Sequence, residues 1–127
     1  MLKETPAITN ESKMAVRVQC SDPEALLNRI RRAIRGGAIE TWSLDSDGDL
    51  THSAEQWRNK AWFRPKISEE LLTFNILTRR GKRMSRTIYG VYHGRLIEML
   101  LVHFDEAFTR ATATALAVTG DVVGSSE

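Results

Sequence analysis

Two segments of the chain alternate apolar and polar residues with the period of a β-strand. In residues 14–20, Val16 and Val18 share one face, with Arg17 between them on the other. Residues 71–78 repeat the pattern around Phe74. Because successive side chains of a strand point to opposite faces, each segment is predicted to be a strand with one face in the core.

A helical period follows the first of these strands. Ser21 and Glu24 have the spacing of a capping box, and Pro23 suits the first turn of a helix. Gly36 and Gly37 provide a stop. The pattern predicts a helix over about residues 22–35. Its apolar face comprises Leu26, Leu27, Ile30, Ala33 and Ile34.

The middle of the chain favours hairpins. Residues 38–44 and 50–52 are β-like runs separated by an Asp-Gly turn at Gly48, because glycine accepts a positive φ at little cost. Residues 61–67 are aromatic and extended, but Pro65 lacks an amide donor. This segment is therefore predicted to lie at an edge or a bulge of the sheet.

The second half combines a predicted hairpin with a second predicted helix. Residues 79–83 form a loop around Gly81, and the β-rich residues 85–92 are predicted to be its returning strand. From Gly94 the period changes, which predicts a helix over about residues 94–107. Residues 109–118 mix alanine with threonine and leave strand and helix open, with a short final strand favoured.

The order of elements predicts an α+β fold, β-α-β-β-β-β-β-α-β, with two helices packed on one face of a mainly antiparallel sheet. A single domain is expected over residues 13–119, between a flexible lead-in (1–12) and a flexible tail (120–127). The other face of the sheet must be solvated or covered by a partner. The chain has more aromatic residues than a one-sided core needs. A dimer interface or a ligand groove would account for the surplus, and the alternative is that these residues simply fill the core.

Composition narrows the class of protein. The 127 residues are 42% hydrophobic and 27% charged, which is ordinary for one globular domain. Cys20 is the single cysteine, so an internal disulfide framework is excluded. No apolar run reaches the roughly 18 residues of a membrane span, and no signal peptide is evident. The sequence predicts a cytoplasmic protein without a membrane partner.

Charge is distributed in blocks although the net charge is only +2. Residues 37–56 carry five acidic side chains and no basic one, whereas residues 57–86 carry nine basic side chains and two acidic ones. Blocks of this size predict a basic face beside an acidic one, unless the blocks pair in the fold. The sequence leaves these two arrangements open.

The basic block supplies the first candidate site. Its cations are expected to lie on adjacent strands and one loop, and Trp62 among them would suit stacking on bases beside phosphate contacts. The signatures of the RNA-recognition and KH domains are missing, and a charged hairpin tip that keeps the sheet soluble is the structural alternative. The candidate nucleic-acid-binding residues are Trp62, Arg64, Lys66, Arg79, Arg80, Lys82, Arg83 and Arg86.

The second candidate site is a pocket at His93. This residue is predicted to lie where a strand passes into a helix, with Tyr92 and Arg95 beside it. The three side chains would hold an anion at the free amides of a helix N-terminus, or His93 would only cap the helix. His52 and His103 show no metal-ligand spacing with it, and no zincin motif is present.

The acidic turn and the single cysteine are both predicted to have structural roles. The alternate carboxylates of Asp45, Asp47 and Asp49 resemble the first ligand positions of an EF-hand loop, but Leu50 stands where the glycine is required and Gln56 where the final glutamate is. An acidic hairpin tip is the favoured interpretation. Cys20 has no evident base partner, so a half-buried structural thiol is favoured over a reactive one.

No nucleophile, nucleotide or metal motif is found, and no cofactor or catalytic residue is predicted. The favoured hypothesis is a small non-enzymatic module that contacts a protein partner or a second copy of itself. The alternatives are a nucleic-acid-binding accessory protein that uses residues 64–86, and a small enzyme centred on His93. A concave pocket that holds a histidine and a convergent acid or base would favour the enzyme.

Overall fold

The computed structural model of the protein describes residues 16–82 and 84–115. The predicted lead-in (1–12) and tail (120–127) lie outside these residues. The elements are β1 (Val16–Gln19), α1 (Pro23–Arg35), β2 (Trp42–Leu44), β3 (Leu50–His52), β4 (Ala61–Ser68), β5 (Leu71–Thr78), α2 (Arg86–His103) and β6 (Arg110–Ala113).

The strands form one six-stranded sheet in the order β2-β3-β4-β5-β1-β6, and every neighbouring pair is antiparallel. The predicted α+β class is therefore confirmed. The segment after the second helix, for which the sequence left strand and helix open, forms the strand β6. The central hairpin pairs Phe63 of β4 with Ile76 of β5. On the other side of β5, Phe74 pairs with Val16.

One buried cluster lies between both helices and the face of the sheet that carries Phe63. Leu26 and Ile30 come from α1, Tyr92 and Leu96 come from α2, and Phe63 comes from the sheet. Each of these side chains is at most 2% exposed. Full burial of a large apolar side chain contributes about 1.5–3 kcal/mol, so this cluster is the main source of stability.

Helix α1 begins one residue later than the capping box predicts. The carboxylate of Asp22, rather than the hydroxyl of Ser21, accepts a hydrogen bond from the amide of Ala25 (3.1 Å). Pro23 then occupies the first turn, where its missing amide is not needed. The exposed side of α1 carries arginines, and the guanidinium of Arg29 lies over the ring of Phe104 at 5.4 Å.

Helix α2 corrects the prediction for residues 85–92. These residues are not the returning strand of a hairpin but Ser85, the N-cap, and the first turns of the helix. The hydroxyl of Ser85 accepts from the amide of Ile88 (3.0 Å). Ile88, Tyr92 and Leu96 recur at every fourth position and all contact the core. This apolar helical face outweighs the local β-propensity, as tertiary packing often does.

Pro65 lies in β4, which has β3 on one side and β5 on the other. Within the described residues, β3 pairs with β4 only through Leu50 and Phe63. The strand therefore has β5 alone as its partner at Pro65, and the missing amide costs no hydrogen bond to β3. This explains how an edge-type residue is accommodated inside the strand order.

The centre of the sheet is buried on its second face as well. Trp62 and Leu77 are directly paired on that face, and Thr73 lies further along β5. Their exposed fractions are 2%, 0% and 3%, respectively. Much of the aromatic surplus is therefore buried within the chain, and this part of the sheet does not present an open apolar face to a partner.

Candidate functional site

The tip of the β2–β3 hairpin is the acidic turn that the sequence predicts. The carboxylate of Asp45 accepts from the amides of Asp47 (2.9 Å) and Asp49 (3.0 Å), which closes the turn. Gly48 has a φ of 82°, a left-handed conformation that favours glycine. From α1, Arg31 donates to the carbonyl of Gly48 (3.0 Å).

The three carboxylates at this tip offer ligand atoms within 4.8 Å of one another. A guanidinium already binds two of them: Arg64 Nη2 lies 2.9 Å from Asp49 Oδ2 and 3.6 Å from Asp47 Oδ2. Arg64 Nε also donates to Asp49 Oδ2 at 3.0 Å. The acidic cluster therefore balances an internal cation, and strands rather than EF-hand helices flank it. We therefore assign the acidic cluster a structural role at the tip of the hairpin.

The base of the same hairpin forms one wall of a groove. Trp42 of β2 is directly paired with His52 of β3. The last turns of α2 form the opposite wall, and the groove encloses about 470 Å³. The lining residues are Thr41, Trp42, His52, Arg95, Glu98, Met99, Val102 and His103. This is the concave surface with a histidine and convergent charges that favours a small-molecule site.

His52 has a defined protonation state in this groove. Its Nδ1 accepts a hydrogen bond from the amide of Ala54 (3.2 Å), so the proton of the neutral ring lies on Nε2. Burial lowers the pKa of His52, and Arg95 lowers it further, while Glu98 raises it. The ring is only 5% exposed and lies edge-on to Trp42. His52 therefore presents a neutral N–H donor.

Arg95 and Glu98 supply the charges at the rim of the groove. Arg95 Nη1 donates to Glu98 Oε1 at 3.2 Å, and the two side chains are 54% and 59% exposed. An ion pair this exposed contributes little stability and separates easily. The two charges have opposite effects on the pKa of His52, because Arg95 lowers it and Glu98 raises it.

The predicted pocket residues Tyr92, His93 and Arg95 do not surround one cavity. Helix α2 begins at Arg86, so His93 lies two turns inside the helix, where no free backbone amides remain. The expected anion site at a helix N-terminus is therefore wrong for His93. Tyr92 is fully buried, and its hydroxyl bonds to Thr51 (3.1 Å) and to the carbonyl of Trp57 (2.5 Å).

His93 is a core residue. Its Nδ1 donates to the carbonyl of Tyr89 (2.7 Å), and the two rings stack with their centroids 3.9 Å apart. Its Nε2 is buried and has no hydrogen-bond partner. Burial lowers the pKa of His93, so the ring is held neutral inside the protein.

The candidate nucleic-acid residues fall into separate places. Trp62 is buried and cannot stack on a base in this arrangement, and Arg64 is bound to the acidic tip. Lys66 is exposed near the β4–β5 turn, where it pairs with Thr73. From there β5 runs towards Arg80, and seven residues of strand span about 23 Å. Trp62, Arg64 and Lys66 therefore do not join the remaining cations in one site.

The remaining candidates lie around the connection between β5 and α2. Arg80, Lys82 and Arg86 are exposed, and Arg79 is partly buried. Arg83 lies outside the described residues. Among the described residues, the salt bridges between the two charge blocks involve only Arg64 with Asp47 and Asp49. The acidic block binds Arg64, whereas the described cations of this connection form no salt bridge with a described residue.

Sequence reasoning did not assign a site role to Trp42, His52, Glu98 or Met99. One part of this grouping was accessible, because the Asp-Gly turn places residues 42 and 52 opposite each other once the hairpin register is counted. The sequence does not predict the contribution of α2, because it depends on which face of a distant helix meets the base of the hairpin.

Comparison of the chain with protein-family models, with curated proteins and with solved structures found no match. Among the described residues, no helix combines the length and the apolar character that crossing a membrane requires.

Proposed function

We propose that the protein is a binding module for a small organic anion, which it holds in the groove between the base of the β2–β3 hairpin and α2. The observation that carries the proposal is the position of the neutral His52 donor beside Arg95, above an apolar floor. The ligand class is a carboxylate or a phosphate monoester attached to an apolar group.

The polar side of the groove suits an oxyanion. Nε2 is the His52 nitrogen that remains for a ligand, because Nδ1 is engaged by Ala54. Arg95 supplies a cation with several N–H donors, and hydrogen bonds to charged groups contribute about 1.5–3 kcal/mol each. Its present partner, Glu98, is exposed and exchangeable.

The apolar side of the groove suits a hydrocarbon or aromatic group. Trp42 and Met99 are 2% and 4% exposed and form a rigid floor, while Val102 lines the groove and is 67% exposed. The volume of about 470 Å³ lies in the range of small-molecule sites, which runs from about 300 to 1,000 Å³. An apolar floor with a few oriented polar groups is the usual composition of such sites.

The state of His52 supports binding rather than proton transfer. A general base needs a free lone pair directed at the substrate, whereas the Nδ1 lone pair of His52 already accepts from a backbone amide. The remaining nitrogen carries the proton and donates. This agrees with the expectation of a non-enzymatic module, although the ligand is now a small molecule.

The test is calorimetric titration with benzoate and phenyl phosphate, with benzyl alcohol as the uncharged comparison. Both anions should bind, and the alcohol should bind at least about 10-fold more weakly, which corresponds to one charge-assisted hydrogen bond. Arg95→Gln should weaken anion binding by a similar factor. Arg35→Gln, which removes an exposed arginine of α1 outside the groove, should not. Equal affinity for the alcohol, or no heat from either anion at millimolar concentration, would contradict the proposal.

Self-association is the second candidate function. Leu101 and Val102 are adjacent at the end of α2 and are 55% and 67% exposed, the largest exposed fractions among the large apolar side chains described. Sedimentation velocity should then show a concentration-dependent dimer that the double variant Leu101→Ser/Val102→Ser abolishes. A monomer at every concentration would exclude this function.

A further inference from the structure

Positive charge is concentrated where β5 passes into α2. Between Glu70 and Glu98 the sequence has six lysine and arginine residues and no acidic residue. The described cations at this connection are Arg79, Arg80, Lys82 and Arg86. The first three follow β5 directly, and Arg86 is the first residue of α2.

Backbone and side-chain hydrogen bonds link the described residues of this connection. The amide of Lys82 donates to the carbonyl of Arg79 (3.0 Å), and the hydroxyl of Thr78 donates to the carbonyl of Lys82 (3.4 Å). Gly81 has a φ of 78°, which favours glycine at the bend. Ser85 then caps the helix through the amide of Ile88. Arg79 and Lys82 therefore belong to a hydrogen-bonded turn, and Arg86 follows the helix cap.

The cations of this connection differ from Arg64 and Arg95 in their partners. Arg64 is bound by two carboxylates, and Arg95 by one. No salt bridge to a described residue involves Arg79, Arg80, Lys82 or Arg86. The first turn of α2 also lacks an acidic residue, so the positive end of the helix dipole adds to the same field.

From this we infer a second binding surface, independent of the groove: the basic turn formed by Arg79, Arg80, Lys82 and Arg86 contacts the phosphate backbone of a nucleic-acid duplex. Such contacts require closely spaced, accessible cations and release the counterions condensed on the duplex. Arg80, Lys82 and Arg86 are exposed within a stretch of seven residues. The contact is electrostatic and therefore depends steeply on salt.

The surroundings of the turn favour a duplex over a single strand. Binding of single strands uses aromatic side chains on which bases stack. The nearest aromatic candidates are engaged: Trp62 is 2% exposed, and Tyr89 stacks on His93. The same surroundings disfavour a membrane surface, because the exposed large apolar residues within 16–82 and 84–115 are Ile67, Leu101 and Val102, none of which belongs to the turn.

The test is fluorescence anisotropy with a labelled random-sequence DNA duplex over a series of salt concentrations. Four phosphate contacts predict a slope of log K against log[salt] of about −3.6. The triple variant Arg80→Gln/Lys82→Gln/Arg86→Gln should reduce the magnitude of this slope by about 3 and abolish measurable binding at physiological salt. Arg79 is retained in the variant because it is partly buried.

The matched control is Arg32→Gln/Arg35→Gln/Lys66→Gln, which removes the same charge from exposed positions elsewhere. It should retain nearly all binding and at least nine-tenths of the slope. Equal losses in the two triple variants would overturn the inference, because attraction would then follow net charge. No duplex binding at low salt would also overturn it, as would stronger binding to an unstructured single strand or to vesicles that contain phosphatidylserine.

Discussion

The two ends of the β2–β3 hairpin are both polar, yet their hydrogen bonds differ. At the tip, Asp45 accepts two backbone amides, and Asp49 is bound by Arg64 in a salt bridge. At the base, His52 uses one ring nitrogen within the protein, and its side chain lines a groove. The tip carries more charge, but its carboxylates stabilise the hairpin through contacts within the protein.

The difference teaches that charge density alone does not identify a functional site here. The acidic tip is the most conspicuous pattern in the sequence, and its cation is an arginine from the neighbouring strand. The base shows no motif, but it combines a donor in a fixed tautomer with a nearby exchangeable ion pair. A site is recognised by the bonds that its groups leave available.

The largest predicted effect concerns the tip. Arg64→Met should lower the free energy of unfolding by about 3 kcal/mol, because Asp49, 2% exposed, would become a buried carboxylate without its guanidinium. Lys66→Met is the matched control on the same strand and face, where an exposed cation is removed. It should change stability by less than about 0.5 kcal/mol. Equal urea midpoints for the two variants would show that the tip is not held by this pair.

A smaller loss is expected from the residue that anchors the base of the hairpin to α2. Tyr92→Phe removes a buried hydroxyl that bonds to Thr51 and to the carbonyl of Trp57. We expect the free energy of unfolding to fall by about 1–2 kcal/mol, since the ring remains and only the hydrogen bonds are lost. Thermal unfolding measures this loss, and an unchanged midpoint would mean that solvent replaces both bonds.

The buried histidines predict a loss of stability in mild acid. Burial lowers the pKa of both His52 and His93 in the folded protein. Below the unfolded value of about 6.5, the unfolded chain therefore binds more protons, and the free energy of unfolding falls as the pH decreases. His93→Phe keeps an aromatic ring in the core and should flatten this dependence between pH 7 and 5.

The control for the pH experiment is His103→Gln, which removes an exposed imidazole from the same helix. Its unfolding curves should keep the pH dependence of the unmodified protein. A His93→Phe profile parallel to that of the unmodified protein would contradict the assignment of His93 as a buried neutral group.

The smallest predicted effect on stability concerns the rim of the groove. Glu98→Gln breaks an exposed ion pair and should cost less than about 0.5 kcal/mol. The same change frees Arg95 and removes a negative charge, so benzoate should bind several-fold more tightly. Weaker binding in this variant would indicate that Glu98 itself contacts the ligand and that the proposed ligand charge has the wrong sign.

Much of the fold could be predicted from local patterns. The first helix, the Asp-Gly hairpin and the strand Leu71–Thr78 follow from periodicity and turn chemistry, which act over a few residues. The prediction of a strand over residues 85–92 is wrong because valine, isoleucine, threonine and tyrosine favour strands locally. Their helical stripe of Ile88, Tyr92 and Leu96 becomes decisive only when a core is present to bury it.

The candidate site was less predictable, because it is assembled from distant parts of the chain. The roles of Arg64 and His93 depended on contacts with Asp49 and Tyr89 that the sequence does not specify. His52 was visible as an isolated histidine, but its tautomer depends on the amide of Ala54 and its setting on α2. The local sequence shows which side-chain types are present, whereas tertiary packing determines which of them are in contact.

The most direct test of the groove is nuclear magnetic resonance of the His52 imidazole in ¹⁵N-labelled protein. At neutral pH we predict one protonated ring nitrogen, Nε2, whose proton resonance moves downfield and saturates as benzoate is added. The Arg95→Gln variant should keep the tautomer and require at least about 10-fold more benzoate. A proton on Nδ1, or an Nε2 resonance that stays unchanged while benzoate binds, would contradict the assignment of this groove as an anion site.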